Sequence, residues 1–422
     1  MAKSVVHIVG AGLAGLSAAV RLAEKGRGVV LYEAARQAGG RCRSYYDSAL
    51  QMVIDNGNHL MLSGNGAALD YLRRTGGLRA VRIAPRAEFP FADLAAGERW
   101  TLRPSMGPLP LWLFDRSARV PGTGWRDYLG LLPLTLRRRE GRVDESLECA
   151  GPLYERLWRP FLLAALNIEP AEGSARLAGR LLRESLARGG SACRPVVAEG
   201  LSAALVEPAI ETLAARGAFV RLDHRLRAIR FEGERAAALD FGDALETLGP
   251  GDELILALPA PVALDLVPGL VAPTEHRAIV NAHFKMAPPP GAPPLLGLVN
   301  ATAEWIFAFK DRVSVTISAA DRLIDKSREE LAELIFADVA KAYKLAQPLP
   351  PWQIIKEKRA TFAASPAQNA LRPGPRTRFA NVTLAGDWTQ TGLPATIEGA
   401  VRSGYGAALI AAENCAAAAK QA

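Results

Sequence analysis

Apolar positions along the chain follow two periods. Val5-Val6-His7-Ile8-Val9 is a nearly unbroken apolar run, which predicts a strand buried on both faces. An Ala/Leu-rich stretch over 16–25 predicts a helix, and Gly28-Val29-Val30-Leu31-Tyr32 predicts a second buried strand. After residue 60 this alternation lapses. Residues 67–74 have helical spacing, strand-like pieces stand near Phe89 and Trp100, and 157–167 is a long apolar stretch with few polar interruptions. Alternation returns near Pro195, with a helix expected over 204–216 and strands over 217–222, 228–232 and 254–259. Beyond residue 271 it lapses again. Residues 305–309 and 313–317 read as paired strands, and 328–345 has helical spacing. Residues 354–362 read as a strand in which Lys356, Glu357, Lys358, Arg359 and Thr361 alternate sides. A last strand ends at Gly386-Asp387, and Pro394 pre-sets the start of a helix.

The first strand runs straight into Gly10-Ala11-Gly12-Leu13-Ala14-Gly15 and then the first helix. Strand, G-x-G-x-x-G and helix in that order are what a dinucleotide requires. Gly10 makes the tight turn, Gly12 admits the backbone to the pyrophosphate, and Gly15 lets helix and strand pack closely. The helix N-terminus at Leu13 and Ala14 offers free N–H groups and about half a positive charge. Glu33 follows the second strand, where a carboxylate can hold a ribose hydroxyl. An acid there repels a 2′-phosphate, so NADP fits poorly.

Gly39-Gly40-Arg41 lies a short loop further on, with glycines that permit close approach and an arginine that can fork onto phosphate or lie near a flavin. With this third part the chain resembles the FAD-containing amine oxidase and phytoene desaturase superfamily, whose opening signature is this triplet, acid and Gly-Gly-Arg. The resemblance implies FAD as cofactor and a discontinuous, Rossmann-like α/β fold. The FAD-binding domain would be assembled from 1–60, 195–270 and 375–422. A mixed α+β substrate domain, facing a membrane, would come from 61–194 and 271–374. Asp55-Asn56-Gly57-Asn58-His59 matches a stretch that the superfamily places near the flavin ring. Read from the residues alone, a turn with a satisfied histidine is the reading favoured over it. The strand containing Val220 resembles the one beside the adenine.

Near the C-terminus, Gly386-Asp387 and Gly392-Leu393-Pro394-Ala395-Thr396-Ile397-Glu398-Gly399 supply the remote half of the same signature. Asp387 can accept from ribityl hydroxyls, and the N–H groups near Thr396 and Ile397 point at the flavin pyrimidine edge that the resemblance puts there. Amine oxidases of the superfamily place an aromatic residue where Thr396 stands. Together with Trp158-Arg159-Pro160 and Ala164-Ala165-Leu166-Asn167, the C-terminal motif resembles the hydroxysqualene dehydroxylase branch. That branch implies a long isoprenoid substrate, hydroxysqualene, reduced by hydride from FAD. A carotenoid-type desaturase and a non-catalytic FAD-bound lipid carrier are the alternatives. Departure of a hydroxyl needs a proton donor, and Glu357, Arg359, Asn167 and His59 are the polar candidates. Asn167 serves equally well as a helix cap.

Composition changes the picture little. The 422 residues suffice for two or three domains, nearly half are hydrophobic, and the formal charge is +8. No aromatic–basic interleaving points to nucleic acid. Cys42, Cys149, Cys193 and Cys415 are far apart, so reduced thiols in a cytoplasmic protein are expected, and no metal. The first strand begins too early to leave room for a signal peptide, and no apolar run reaches the ~18–20 residues that span a bilayer. Residues 109–114 and 128–134, ending in Arg137-Arg138-Arg139, suit either peripheral contact on the inner face of the cytoplasmic membrane or a core helix with a basic last turn. Isoprenoid-synthase enzymes are the expected protein partners.

Overall fold

The computed structural model describes residues 4–421. Its first layer is a five-stranded parallel sheet in the order Phe219–Arg221, Gly28–Tyr32, Val5–Val9, Glu253–Leu256, Val382–Leu384. One face of these strands, with Val6, Ile8 and Leu31, is covered by helices, and the other, with Val9, Tyr32 and Leu256, packs with Leu239 and Phe241 of a three-stranded antiparallel sheet over 228–247. Leu13–Glu24 packs against the C-terminal helix Ile397–Gln421 so closely that a Cβ on Gly404 would lie 2.2 Å from the Ala14 carbonyl oxygen. The first and last helices therefore meet on one face of one sheet, and the αβ alternation at each end is what brings them there.

The second layer is a seven-stranded mixed sheet in the order Trp352–Phe362, His276–Phe284, Val313–Ile317, Trp305–Ala308, Leu295–Val299, Phe89–Asp93, Arg99–Leu102. One parallel pairing, Phe91 with Gly297, joins the early strands to the late ones, and a Cβ on Gly297 would meet the Phe91 ring at 2.5 Å. One face of the sheet buries Val280, Ile306, Val315 and Ile317 under the helix Arg328–Tyr343. The other face presents Phe91, Trp100, Trp305 and Phe307 to an apolar cluster built on Tyr128, Trp158, Leu162 and Leu182.

Three expectations change. The helix expected over 204–216 is two helices, Leu201–Leu205 and Glu207–Ala215, because Pro208 lacks the N–H that would continue the first. Residues 61–83, assigned above to the second domain, pack with the parallel-sheet layer. Leu60–Leu62 and Val81–Ile83 pair with Pro195–Ala198, and the helix Gly66–Thr75 buries Leu69, Tyr71 and Leu72 in the core that holds Val6 and Ile8. The stretch 157–167 becomes the last residues of a π-helical turn, Tyr154–Trp158, followed by the helix Arg159–Leu166 with Pro160 in its first turn.

Among the described residues no helix is long and apolar enough to cross a membrane.

Candidate active site

The glycine turn forms the floor of the site. Gly10 has φ +103, and a Cβ there would stand 2.4 Å from the Ala257 carbonyl oxygen. A Cβ on Gly15 would lie 1.9 Å from the Gly10 oxygen. Both glycines are required for packing. Gly12 differs: its backbone is extended (φ −75, ψ 179) and a Cβ there meets nothing within 4 Å. No side chain caps the helix that begins at Leu13, so the N–H groups of Leu13, Ala14 and Gly15 open onto a cradle at the positive end of the helix dipole.

Glu33 is held beside this turn. Its carboxylate accepts the N–H of Ala11 at 2.8 Å and of Ala35 at 2.9 Å. Val220 lies on the neighbouring edge strand, in register with Leu31, one residue before the Arg221 carbonyl that accepts the Glu33 N–H. Gly39 (φ +111) donates its N–H to the Ala11 carbonyl, and a Cβ on Gly40 (φ +55) would touch the Gly12 Cα at 3.4 Å. The two glycine motifs thus lie one on the other.

Arg41 closes the circuit. Its guanidinium donates to both Asp387 oxygens at 2.8 and 2.7 Å and to the Ala360 carbonyl at 2.5 Å. One residue therefore ties the N-terminal motif, the C-terminal motif and the seven-stranded sheet together. Asp387 is buried, and Gly386 (φ +153) sits where a Cβ would collide with the Trp388 ring at 2.5 Å. Around Pro394, Thr396 Oγ1 accepts the Gly399 N–H at 3.0 Å and so caps the helix that begins at Ile397. A cavity of about 50 Å³ lies beside it, lined by Leu62, Leu181, Leu393, Thr396 and Glu398. Glu398 itself turns away, accepting the N–H groups of Ala67 and Ala68 at the start of the helix Gly66–Thr75.

The loop 55–59 approaches from the other side. Asp55 is fastened by a buried ion pair with Arg312 (2.9 Å), by the Ser44 hydroxyl (2.6 Å) and by the Leu201 N–H (2.8 Å). A Cβ on Gly57 would stand 3.0 Å from the Asn281 amide nitrogen. The Asn58 amide donates to Thr316 Oγ1 at 3.1 Å, while its own oxygen is buried without a partner, an acceptor that a bound donor would satisfy. Burial, and then the charge of Arg41, lower the His59 pKa to about 4. Its ring is therefore neutral near pH 7.

The four candidate proton donors are placed differently. Asn167 (φ +53) ends the helix Arg159–Leu166. Its oxygen accepts the Ala319 N–H at 2.7 Å, and its nitrogen donates to Thr361 Oγ1 at 2.9 Å and to the Arg277 carbonyl at 3.4 Å. Its amide is fully engaged as a tie between helix and sheet. Neutral His59 has no acidic proton to give near pH 7. Glu357 is partly buried, with Asn56 Nδ2 at 3.4 Å from its carboxylate, and Arg359 is exposed. Glu357 borders a bulge and Arg359 lies within it. Arg277 pairs with Thr361 but Ile279 with Glu357, so four steps on one strand oppose two on the other. The extra residues turn the Ala360 carbonyl toward Arg41.

Arg372 carries no sequence signal and organises the C-terminal motif. Buried, its guanidinium donates to the carbonyls of Asp387 (3.0 Å), Trp388 (3.3 Å) and Leu393 (2.8 Å), to that of Thr389, and to Thr391 Oγ1 (2.9 Å). Asn281 is the other residue that sequence reasoning passed over. Both become visible only once the loops are folded onto them.

An open glycine cradle, a charged clamp of Arg41 and Asp387 and a buried orphan acceptor at Asn58 fit a flavin nucleotide. The family model for flavin containing amine oxidoreductase matches residues 13–410. A hydroxysqualene dehydroxylase from Rhodopseudomonas palustris is 57% identical over 406 residues, covering 96% of this chain and 97% of that protein. The chain belongs to the hydroxysqualene dehydroxylase family, within the flavin containing amine oxidoreductases. A second member of that family, from Sinorhizobium fredii, is 54% identical over 96% of this chain and 98% of its own. A solved oxidoreductase from Methanosarcina mazei shares the fold, with a TM-score of 0.71 at 16% identity over 95% of this chain and 99% of that one. Like the rest of its family, the chain is a flavin-dependent oxidoreductase.

Proposed function

We propose that this protein converts hydroxysqualene to squalene by reductive dehydroxylation, with FAD as its coenzyme. Full-length identity of 57% to a hydroxysqualene dehydroxylase carries the reading. The contact of the Gly39-Gly40 turn with Gly12, the bond from Arg41 to Asp387 and a carboxylate at Glu33 beside the glycine turn support a dinucleotide over a mononucleotide. In this reading the N–H groups of Leu13, Ala14 and Gly15 hold the pyrophosphate beside Gly12, Glu33 the adenosine ribose, and Val220 the adenine side. Gly39, Gly40 and Arg41 close over the middle, Asp387 takes the ribityl hydroxyls, and Gly57, Asn58, Pro394, Thr396 and Ile397 surround the ring. Gly10 and Gly386 shape the two turns.

When bound, reduced FAD supplies a hydride; the C–O bond of the substrate breaks, a C–H bond forms, and one proton converts the departing hydroxide to water. The chain's own work is to position the carbon, exclude water and provide for the hydroxide. Phe307, Trp305, Trp158 and Leu162 belong to an apolar cluster suited to a C30 hydrocarbon, each buried CH₂ contributing about 0.8 kcal/mol. Glu357 delivers the proton and Arg359, at the bulge, stabilises the departing oxygen. An isoprenoid synthase is the class of enzyme that must supply the alcohol.

Anaerobic stopped-flow tests the reading. Reduced holoenzyme mixed with hydroxysqualene is expected to reoxidise and to form squalene. Flavin reduction by a polyene would instead identify a desaturase, and silence toward both a carrier.

A further inference from the structure

The longest irregular segment of the second layer has an apolar outside. Trp125, Leu129, Leu132 and Leu136 recur at steps of four, three and four along the helical turns Asp127–Leu131 and Leu132–Leu136, and all are exposed, Leu136 by 68%. Tyr128 and Leu134 on the opposite side are buried. A surface helix that is apolar on both sides has a second apolar surface to meet. Leu109, Leu111 and Phe114 extend the exposed stripe, and the rings of Phe114 and Trp125 lie 5.7 Å apart, so the two pieces form one patch. These seven side chains are among the eighteen large apolar ones that the described residues expose. A monomer keeps a patch of this kind only where something binds.

Charge indicates what binds. Residues 106–139 contain six arginines and two aspartates, a net +4 in a chain of net +8. Both aspartates are spent internally: Asp115 accepts the Ser117 N–H and Asp127 the Gly124 N–H. Among the described residues Arg116, Arg126, Arg138 and Arg139 form no ion pair with a carboxylate. Exposed leucines and aromatics ringed by free arginines match the boundary between acyl chains and anionic headgroups. The inner side of the same segment, Tyr128 and Leu134, belongs to the apolar cluster that runs through Trp158 and Leu162 to Phe362 and Trp388 beside the C-terminal motif.

We propose that residues 109–136 dock the enzyme on an anionic bilayer and that its hydrocarbon substrate enters there, directly from the lipid. The entry half of this proposal rests on the isoprenoid reading; the docking half does not. Holoenzyme is sedimented with vesicles of phosphatidylcholine alone or with 30% phosphatidylglycerol (about a third anionic lipid, enough to set up a surface potential). Binding to the anionic vesicles, weakened by salt, is expected, with at least tenfold loss in Leu111→Asp/Phe114→Asp. Both positions are solvent-facing, and an unchanged melting temperature and flavin spectrum establish that the variant is folded. The variant is also expected to keep turnover of detergent-dispersed hydroxysqualene while losing it for substrate embedded in vesicles. Equal vesicle binding by wild type and variant overturns the proposal. So does a wild-type dimer, seen by sedimentation velocity, that the variant converts to monomer without any vesicle binding. Vesicle binding without turnover of either substrate form would count against the isoprenoid reading and leave docking intact.

Discussion

Gly12 and Gly15 lie three residues apart in one motif, yet their replacement by alanine should have opposite consequences. At Gly12 the backbone is extended and a methyl meets nothing within 4 Å. Gly12→Ala loses a little as an N-cap and regains a comparable amount from a stiffer unfolded chain, so the flavin-free protein should change by less than about 1 kcal/mol. The new methyl, however, stands where the proposed function puts the pyrophosphate. Losing two hydrogen bonds to a charged group at roughly 1.5 kcal/mol each weakens FAD binding about 100-fold. At Gly15 the methyl would be 1.9 Å from the Gly10 carbonyl oxygen, a backbone atom in a turn that is itself packed on Ala257. Relief requires moving helix against strand, and Gly15→Ala should cost about 3 kcal/mol before any cofactor is added. Urea denaturation of flavin-free protein followed by fluorescence titration with FAD separates the two effects. The reasoning fails if Gly12→Ala binds FAD like wild type, or if Gly15→Ala is as stable as wild type.

Other expectations follow from the buried polar groups. Asp55→Ala strands the Arg312 guanidinium in the interior and should lower stability by about 3–5 kcal/mol, with partial recovery in Asp55→Ala/Arg312→Met; denaturation midpoints report both. Arg372→Met should leave the strand Val382–Leu384 intact but release the loop 386–394, raising the FAD dissociation constant at least tenfold by equilibrium titration. Glu253, buried beside Asn414, has its carboxyl pushed up to about 7 by burial. Between its unfolded pKa near 4.5 and about 7 the folded state holds more proton than the unfolded one, so stability falls as pH rises through this window. Glu253→Gln should flatten that slope, a difference of up to about 3 kcal/mol at pH 8 measured by urea unfolding across pH 5–8. Glu357→Gln and Arg359→Ala should each retain the flavin absorbance and lose squalene formation; unchanged turnover in either would remove that residue from the chemistry.

The parts of the site that could be read from the chain are those in which local pattern and local function coincide. Gly10, Gly12 and Gly15 sit between a buried strand and a helix, so their spacing is itself the geometry, and Glu33 falls at the strand end by the same logic. Val382–Leu384 and Pro394 announced the second half because a strand end and a helix start are also local. Arg372 and Asn281 were not legible. Each is an ordinary polar residue until a loop from elsewhere in the chain lays its carbonyls or amides against it. Asn167 fits two readings, a polar group in an apolar wall and a cap: its left-handed backbone (φ +53) ends the helix Arg159–Leu166, while its side-chain bonds to Ala319, Thr361 and Arg277 tie that helix to distant segments. The break at Pro208 follows from a known steric rule. The packing of 61–83 on the core of the parallel sheet does not, since an amphipathic helix carries no mark of which layer will cover it. The bulge opposite Arg277 and Ile279 was also invisible, because alternation along 354–362 says nothing about register with its neighbour.

A single turnover in deuterium oxide goes to the centre of the account. Holoenzyme reduced anaerobically in that solvent and mixed with one equivalent of hydroxysqualene should yield one squalene per flavin, carrying one deuterium at the former carbinol carbon. Squalene without the label, or a flavin that stays reduced over unchanged alcohol, would contradict it.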